Sequence, residues 1–223
     1  GMGVIDALCA RGFTVFTVFP GSIPKFTGFD MVRHVKAAIR WVKESAPAYA
    51  IARDRIALAG ASAGGHLAAL AALDPSPAAP NTRDPFRRHD TAVCAAGLFF
   101  APSDLLDFDG RILEFLKNEG IEMDRLLFDD GQPHGGDAER RRRLEQLSPA
   151  RQVKPAPPPM YLIHGDADPV VPPRQSEKLL HALLDHGGKA ELHLKKGGRH
   201  AWPGIRKEAA LLAEWLYREC ARP

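Results

Sequence analysis

The sequence lacks most of the features that would place it in a specialised class. It holds only three cysteines, Cys9, Cys94 and Cys220. Their odd number and the absence of metal-ligand spacing read as unpaired thiols in a reducing compartment, and hence as a cytoplasmic protein. No apolar run approaches the length of a membrane span. A net charge of +3 is too small to argue for nucleic acid as a partner. No Lys-Ser/Thr pair follows a glycine-rich turn as a Walker loop requires, and no glycine spacing fits G-x-G-x-x-G, so nucleotide-binding readings fail. No secretory leader is in view, and Gly1-Met2 reads as a tag remnant before a native start. No metal or cofactor is implied. What remains is an ordinary globular composition, 45% hydrophobic and 26% charged over 223 residues. That is enough chain for one domain with a substantial core.

One stretch organises the rest. Arg55 to Leu73 reads as a short apolar strand, a sharp turn and a helix apolar on all sides. Ile56–Ala59 suits a central parallel strand. The turn Gly60-Ala61-Ser62-Ala63-Gly64 matches G-x-S-x-G, which sets a serine on a strained strand-to-helix corner with its hydroxyl exposed. A Cβ at position 60 or 64 is expected to collide where strand and helix nearly touch. The helix N-terminus behind Ser62 favours developing negative charge. The five letters alone are equally compatible with a tight packing turn, and the flanking pattern favours the nucleophile.

Along the chain, a helix ends near Arg11 with Gly12 as its stop, and Phe13–Phe19 is rich in strand-forming residues. Pro20–Pro24 is a loop, and Asp30–Glu44 an amphipathic helix. Residues 74–90 form a surface loop, and Ala92–Phe100 a buried strand. Residues 101–147 break the alternation. Their apolar groups, Leu105, Leu106, Phe108, Ile112, Leu113, Phe115, Leu116 and Leu126–Phe128, fall in short helices, read as an insertion over the sheet's carboxyl edge. The Arg140–Arg143 run reads as a solvated helical face, and His134-Gly135-Gly136 as a surface turn. Met160–His164 is a strand, Gln175–His186 a helix, Ala190–Lys195 a half-exposed edge strand, and residues 205–219 a last amphipathic helix. This alternation predicts a parallel sheet with helices on both faces and a site beyond the carboxyl ends of the strands.

Ser62, Asp168 and His200 each follow a strand directly, so all three can converge on one edge. A serine needs a base to take its proton, and a histidine base needs an acid to hold its tautomer. Among nine histidines, only His200 lies in a glycine-rich loop after the last strand. Asp166 and Asp168 compete for the third place. One would orient the loop through backbone N–H groups while the other meets His200, with Asp168 preferred.

With these residues in view, the chain resembles the α/β-hydrolases of the carboxylesterase and acetyl-xylan-esterase-like type. The resemblance rests on Gly60-Ala-Ser-Ala-Gly-Gly-His-Leu-Ala68, His164-Gly-Asp-Ala-Asp-Pro-Val-Val-Pro172 and Gly197-Gly-Arg-His200, with Arg11–Val15 and Pro20–Phe26 matching the segment before the elbow. It implies a doubly wound, mostly parallel sheet in one domain spanning residues 1–223, shortened at its N-terminal side. It also implies Ser62 as nucleophile, Asp168 as acid and His200 as base, a small ester as substrate, and no cofactor. The family type carries a His-Gly-Gly loop that supplies one oxyanion N–H, and this sequence begins after that point. The Ala63 N–H is retained as the other donor. Either the coding start lies upstream, or Gly21 or Ser22 offers a substitute N–H, or the protein is a weak or non-catalytic hydrolase. A peptidase or thioesterase would use the same three residues. A missing strand would also leave an apolar edge for a second chain to cover, as in a homodimer.

Overall fold

Ala95–Phe99 is apolar at every position and buried at every position, because helices cover both faces of the sheet it belongs to. The computed structural model describes residues 2–221, apart from the side chains of Met2 and Leu113. The reading of Gly1-Met2 as a tag, and the Leu113 side chain, lie outside what is described. Four parallel strands form one sheet in the order β1 (Ala57–Ala61), β2 (Ala95–Phe99), β3 (Met160–Gly165) and β4 (Ala190–Lys195).

The period of two along each strand sorts side chains between two layers. Ala95, Phe99, Tyr161 and Ile163 meet α1 (Met2–Ala10) and α8 (Arg206–Cys220) through Leu8, Leu212, Trp215 and Leu216. Ala96, Leu98, Met160 and Leu162 meet α3 (Ala63–Leu73) and α7 (Arg174–Asp185) through Ala68, Ala72, Leu179 and Leu183. A Cβ on Gly97 would overlap the Leu212 side chain, so this glycine lets α8 lie close against β2. Outside α3 runs α2 (Gly28–Ser45), which buries Val35 and Ile39 on Leu67 and Ala71. Thr27 and Asp30 start α2 as a capping box, each side chain taking the other's backbone N–H.

Between β2 and β3 lie α4 (Ile112–Asn118), α5 (Met123–Leu127) and α6 (Gly136–Gln146). Their apolar side chains, with Leu105 and Phe128, pack on Leu70 of α3 and on Ile23, Phe29 and Met31 around the start of α2. The arginine run lies on α6, where Arg140 bonds Asp124 and Asp137 while Arg142 and Arg143 share Glu139. His134 is exposed and pairs with Asp130.

Three expectations are corrected. Phe13–Phe19 is not a strand of this sheet. Its side chains do take alternate sides, Val15 toward the α8 layer and Phe16 against Trp41 and Tyr49. No backbone bond joins residues 14–19 to any strand among the described residues, because β propensity sets a local shape and a ladder needs a neighbour. β1 is not central but ends the sheet, with Ala59 and Ala61 exposed. Finally, Cys94 and Cys220 are bonded to each other, their Cα atoms 5.6 Å apart, while Cys9 is free and exposed. They are 126 residues apart in sequence, so spacing along the chain could not reveal the pair. The thiol count therefore carries no argument for a reducing compartment.

Candidate active site

The strand-to-helix corner places Ser62 under backbone strain, with φ 51° and ψ −123°. Few non-glycine residues adopt a positive φ. Its own N–H bonds the Phe99 carbonyl at 2.9 Å, and the first residue of α3, Ala63, is exposed beside it. The glycines divide their work differently from the expectation. A Cβ on Gly60 would overlap the Gly64 carbonyl, and one on Gly65 would press on Ala101. A Cβ on Gly64 itself would meet open space. The close approach is therefore carried by Gly60 and Gly65.

The loops after β3 and β4 bring the other two side chains to the same corner. Gly165 and Gly198 let these loops touch, since a Cβ on Gly165 would overlap the Gly198 carbonyl. Across that contact the Ala167 N–H bonds the Gly198 carbonyl at 2.9 Å, and Asp166 takes the Gly197 N–H at 2.6 Å. Asp166 thus ties the histidine loop down while Asp168 reaches the histidine. The His200 Nδ1–H donates to Asp168 Oδ2 at 2.7 Å, and His200 Nε2 lies 3.0 Å from Ser62 Oγ. A carboxylate facing Nδ1 fixes the proton there and leaves Nε2 as an acceptor toward the serine.

Burial pushes the Asp168 carboxyl up. Hydrogen bonds from His164, His200 and the Val171 and Val170 amides outweigh that and hold it well below the usual carboxylate range. Its side chain is fully buried, whereas that of His200 is 20% exposed, so the site opens toward the serine and the imidazole. Phe100, itself at a positive φ of 38°, lies against the His200 ring at 4.5 Å and against Trp202 at 5.9 Å. Gly21 and Ser22 make no hydrogen bond to Ser62. Their loop is tied to α2 by the Pro20 carbonyl on His34 Nδ1 at 2.5 Å and to itself by the Phe26 N–H on the Ser22 carbonyl.

Residues 2–183 of the sequence match the BD-FAE family. The chain belongs to that family. Of its relatives, Esterase LipQ of Mycobacterium tuberculosis is 33% identical over 187 residues, which cover 82% of this chain and 41% of LipQ. The chain thus spans less than half the length of that relative. Among solved structures, the acetyl ester-xyloside bifunctional hydrolase from Caldicellulosiruptor lactoaceticus superposes with a TM-score of 0.79 at 25% identity, covering 96% of this chain and 75% of that one. A truncated form of a carbohydrate esterase from gut microbiota shares the fold, with a TM-score of 0.80 at 24% identity over 99% of this chain and 79% of that one. The BD-FAE chain has the α/β-hydrolase fold.

Several residues that fasten the BD-FAE site were not singled out by sequence reasoning. Trp202, two residues past His200, donates its indole N–H to buried Glu208 on α8 at 3.0 Å, and Glu208 also meets Lys195 at 3.1 Å. Burial raises the Glu208 carboxyl, and these two partners bring it below its ordinary value. Gln175 on α7 accepts the Ser103 and Asp104 N–H groups at 2.9 and 2.7 Å, fixing the exit from β2. His66, four residues into the turn of α3, donates its Nδ1–H to the Pro102 carbonyl at 3.1 Å. His164 is wholly buried behind Asp168. Gln175 and His66 depend on partners distant in sequence and Trp202 on one in the element that follows it, and only the His in Gly-Gly-His66 and in His164-Gly165 was visible as a letter. Among the described residues, no cluster of three or more His, Cys, Asp or Glu side chains could hold a metal ion, and no helix is long and apolar enough to cross a membrane.

Proposed function

We propose that this chain is a serine carboxylesterase that cleaves small carboxylic esters through an acyl-enzyme. The observation that carries the reading is His200, which bridges Asp168 at 2.7 Å and Ser62 at 3.0 Å. Ser62 Oγ attacks the ester carbonyl carbon as His200 Nε2 takes its proton. The C–O bond to the alcohol then breaks, and His200 returns the proton to the departing oxygen. Water, deprotonated by the same nitrogen, attacks the acyl-serine, and the acid leaves with Ser62 restored. Asp168 holds the tautomer and stabilises the imidazolium without taking the proton. The Ala63 N–H, at the start of α3, faces the developing oxyanion with the helix dipole behind it. The esterase relatives support the bond class, and the neighbour that acts on an acetyl ester supports a short acyl group.

Turnover of p-nitrophenyl acetate tests the reading. Ser62→Ala is expected to lower kcat by about 10⁴- to 10⁶-fold, as loss of a triad nucleophile does. A fluorophosphonate probe is expected to label the wild type on Ser62 alone. Equal turnover in wild type and variant would reject the assignment.

A further inference from the structure

The three-residue relay leaves one buried imidazole unused. His164 is the next-to-last residue of β3, its side chain fully buried, four residues before Asp168. Its Nε2 lies 2.9 Å from the Val171 carbonyl oxygen and 3.3 Å from Asp168 Oδ2. A carbonyl has no proton to give, so Nε2 carries one and donates it. Nδ1 then faces the Ser176 hydroxyl on α7 at 2.7 Å, which donates to it. Strand and helix together thus set both the ring and its tautomer.

We propose that His164 is a positioning residue of the relay: its Nε2–H holds the second oxygen of Asp168 in line with His200. The proposal rests on the serine-esterase reading. Oδ1 accepts the Val170 and Val171 N–H groups at 2.8 and 3.0 Å. Those two bonds anchor one oxygen, and rotation about a terminal sp³–sp² bond is soft. Oδ2 accepts from His200 at 2.7 Å, and the His164 Nε2–H, bonded to the Val171 carbonyl, lies 3.3 Å from the same oxygen. Without His164, Oδ2 would face, among the described residues, no N–H but that of the imidazole the carboxylate has to orient. The same Nε2–H also holds the Val171 carbonyl, which fixes the turn supplying both backbone donors. A side chain that only filled this buried space would be apolar, since every buried polar atom needs a partner. Here both ring nitrogens have partners, and one of them leads to the relay.

The test uses the full chain and p-nitrophenyl acetate. His164→Leu removes the N–H at similar bulk, and His164→Gln keeps an N–H near the ε position. The Leu variant is expected to lose about 10- to 100-fold in kcat at unchanged KM, the size of effect that follows when a catalytic group is held off its line. The Gln variant is expected to recover most of that loss. Ser176→Ala, which frees the tautomer, is expected to lower kcat less than the Leu variant, again at unchanged KM, and it decides the matter if the Leu variant does not fold. In proton NMR, the downfield signal of the His200 Nδ1–H bonded to Asp168 is expected in wild type and His164→Gln, and shifted or lost in His164→Leu. A folded Leu variant with wild-type kcat, or Leu and Gln variants equally slow, would overturn the proposal. The NMR signal separates the two layers of the argument. If wild type shows no Ser62-dependent turnover but the signal still responds to His164→Leu, the esterase reading falls and the positioning role stands.

Discussion

Ser62 holds a positive φ without being glycine, and the corner that forces it there is kept tight by atoms on both sides. His66 is one of those supports. From the first turn of α3 it donates to the Pro102 carbonyl just beyond β2, so it ties the helix behind the serine to the neighbouring strand exit. Burial of the ring pushes its pKa down to about 4, against a smaller opposing effect of the Pro102 bond. The unfolded chain binds a proton at this histidine below about pH 6.5, while the folded chain resists until about pH 4, so the unfolded state gains as pH falls. The contribution is fully present above pH 6.5 and is lost on acidification toward pH 4, about 3 kcal/mol in all from a shift of this size at 1.36 kcal/mol per pH unit. Urea denaturation at pH 7 and pH 4.5 is expected to show this decline in wild type and a shallower one in His66→Asn, which keeps a donor for Pro102 but does not titrate. Identical slopes in the two proteins would refute the assignment.

At the level of strands, helices and loops, what could be read from the sequence was what is written locally. Ser62, Asp168 and His200 stand in the turns that follow β1, β3 and β4, strands whose apolar patterns are continuous in β3 and alternating in β4, and the glycines beside them are required where two backbones meet, as at Gly60 and at Gly165 against Gly198. The site's fastenings were hidden, because Trp202 with Glu208 and His164 with Ser176 are pairings across elements that no period announces. Phe13–Phe19 misled for the converse reason, since its composition fits a strand and no described strand pairs with it. The disulfide belongs with the hidden pairings. It joins Cys94, just ahead of β2, to Cys220 at the end of α8, inside the cluster built on Trp215 and Leu216. Closing a segment of 126 residues restricts the unfolded chain by about 3–5 kcal/mol. For a domain of this length that is about 10 °C in Tm. Cys94→Ala with Cys220→Ala, or wild type in reductant, is expected to melt lower by that amount in calorimetry. A melting temperature that ignores the reductant would show that this link contributes nothing to stability.

The molecule as a whole is built on an open sheet whose two end strands are β1 and β4, and β1 is the one that leads into Ser62. Ile56 accepts from Cys94 and Ser62 donates to Phe99, so the even-numbered residues of this segment point their backbone groups at β2. Residues 57, 59 and 61 therefore point theirs the other way, and Ala59 and Ala61 are exposed there. Nearby apolar residues are uncovered too, with Phe19 88% exposed and Val18, Trp41 and Tyr49 partly so. An unprotected strand edge with apolar surroundings is a template for pairing with another chain. Sedimentation velocity is expected to show a dimer that grows with concentration. Ala59→Pro removes one outward N–H and leaves the β1–β2 ladder intact, the one setting in which a strand tolerates proline. That variant is expected to sediment as a monomer at concentrations where wild type dimerises, with its melting temperature little changed. A wild type that stays monomeric throughout, or a dimer indifferent to proline at position 59, would place the contact elsewhere and leave the serine strand facing solvent.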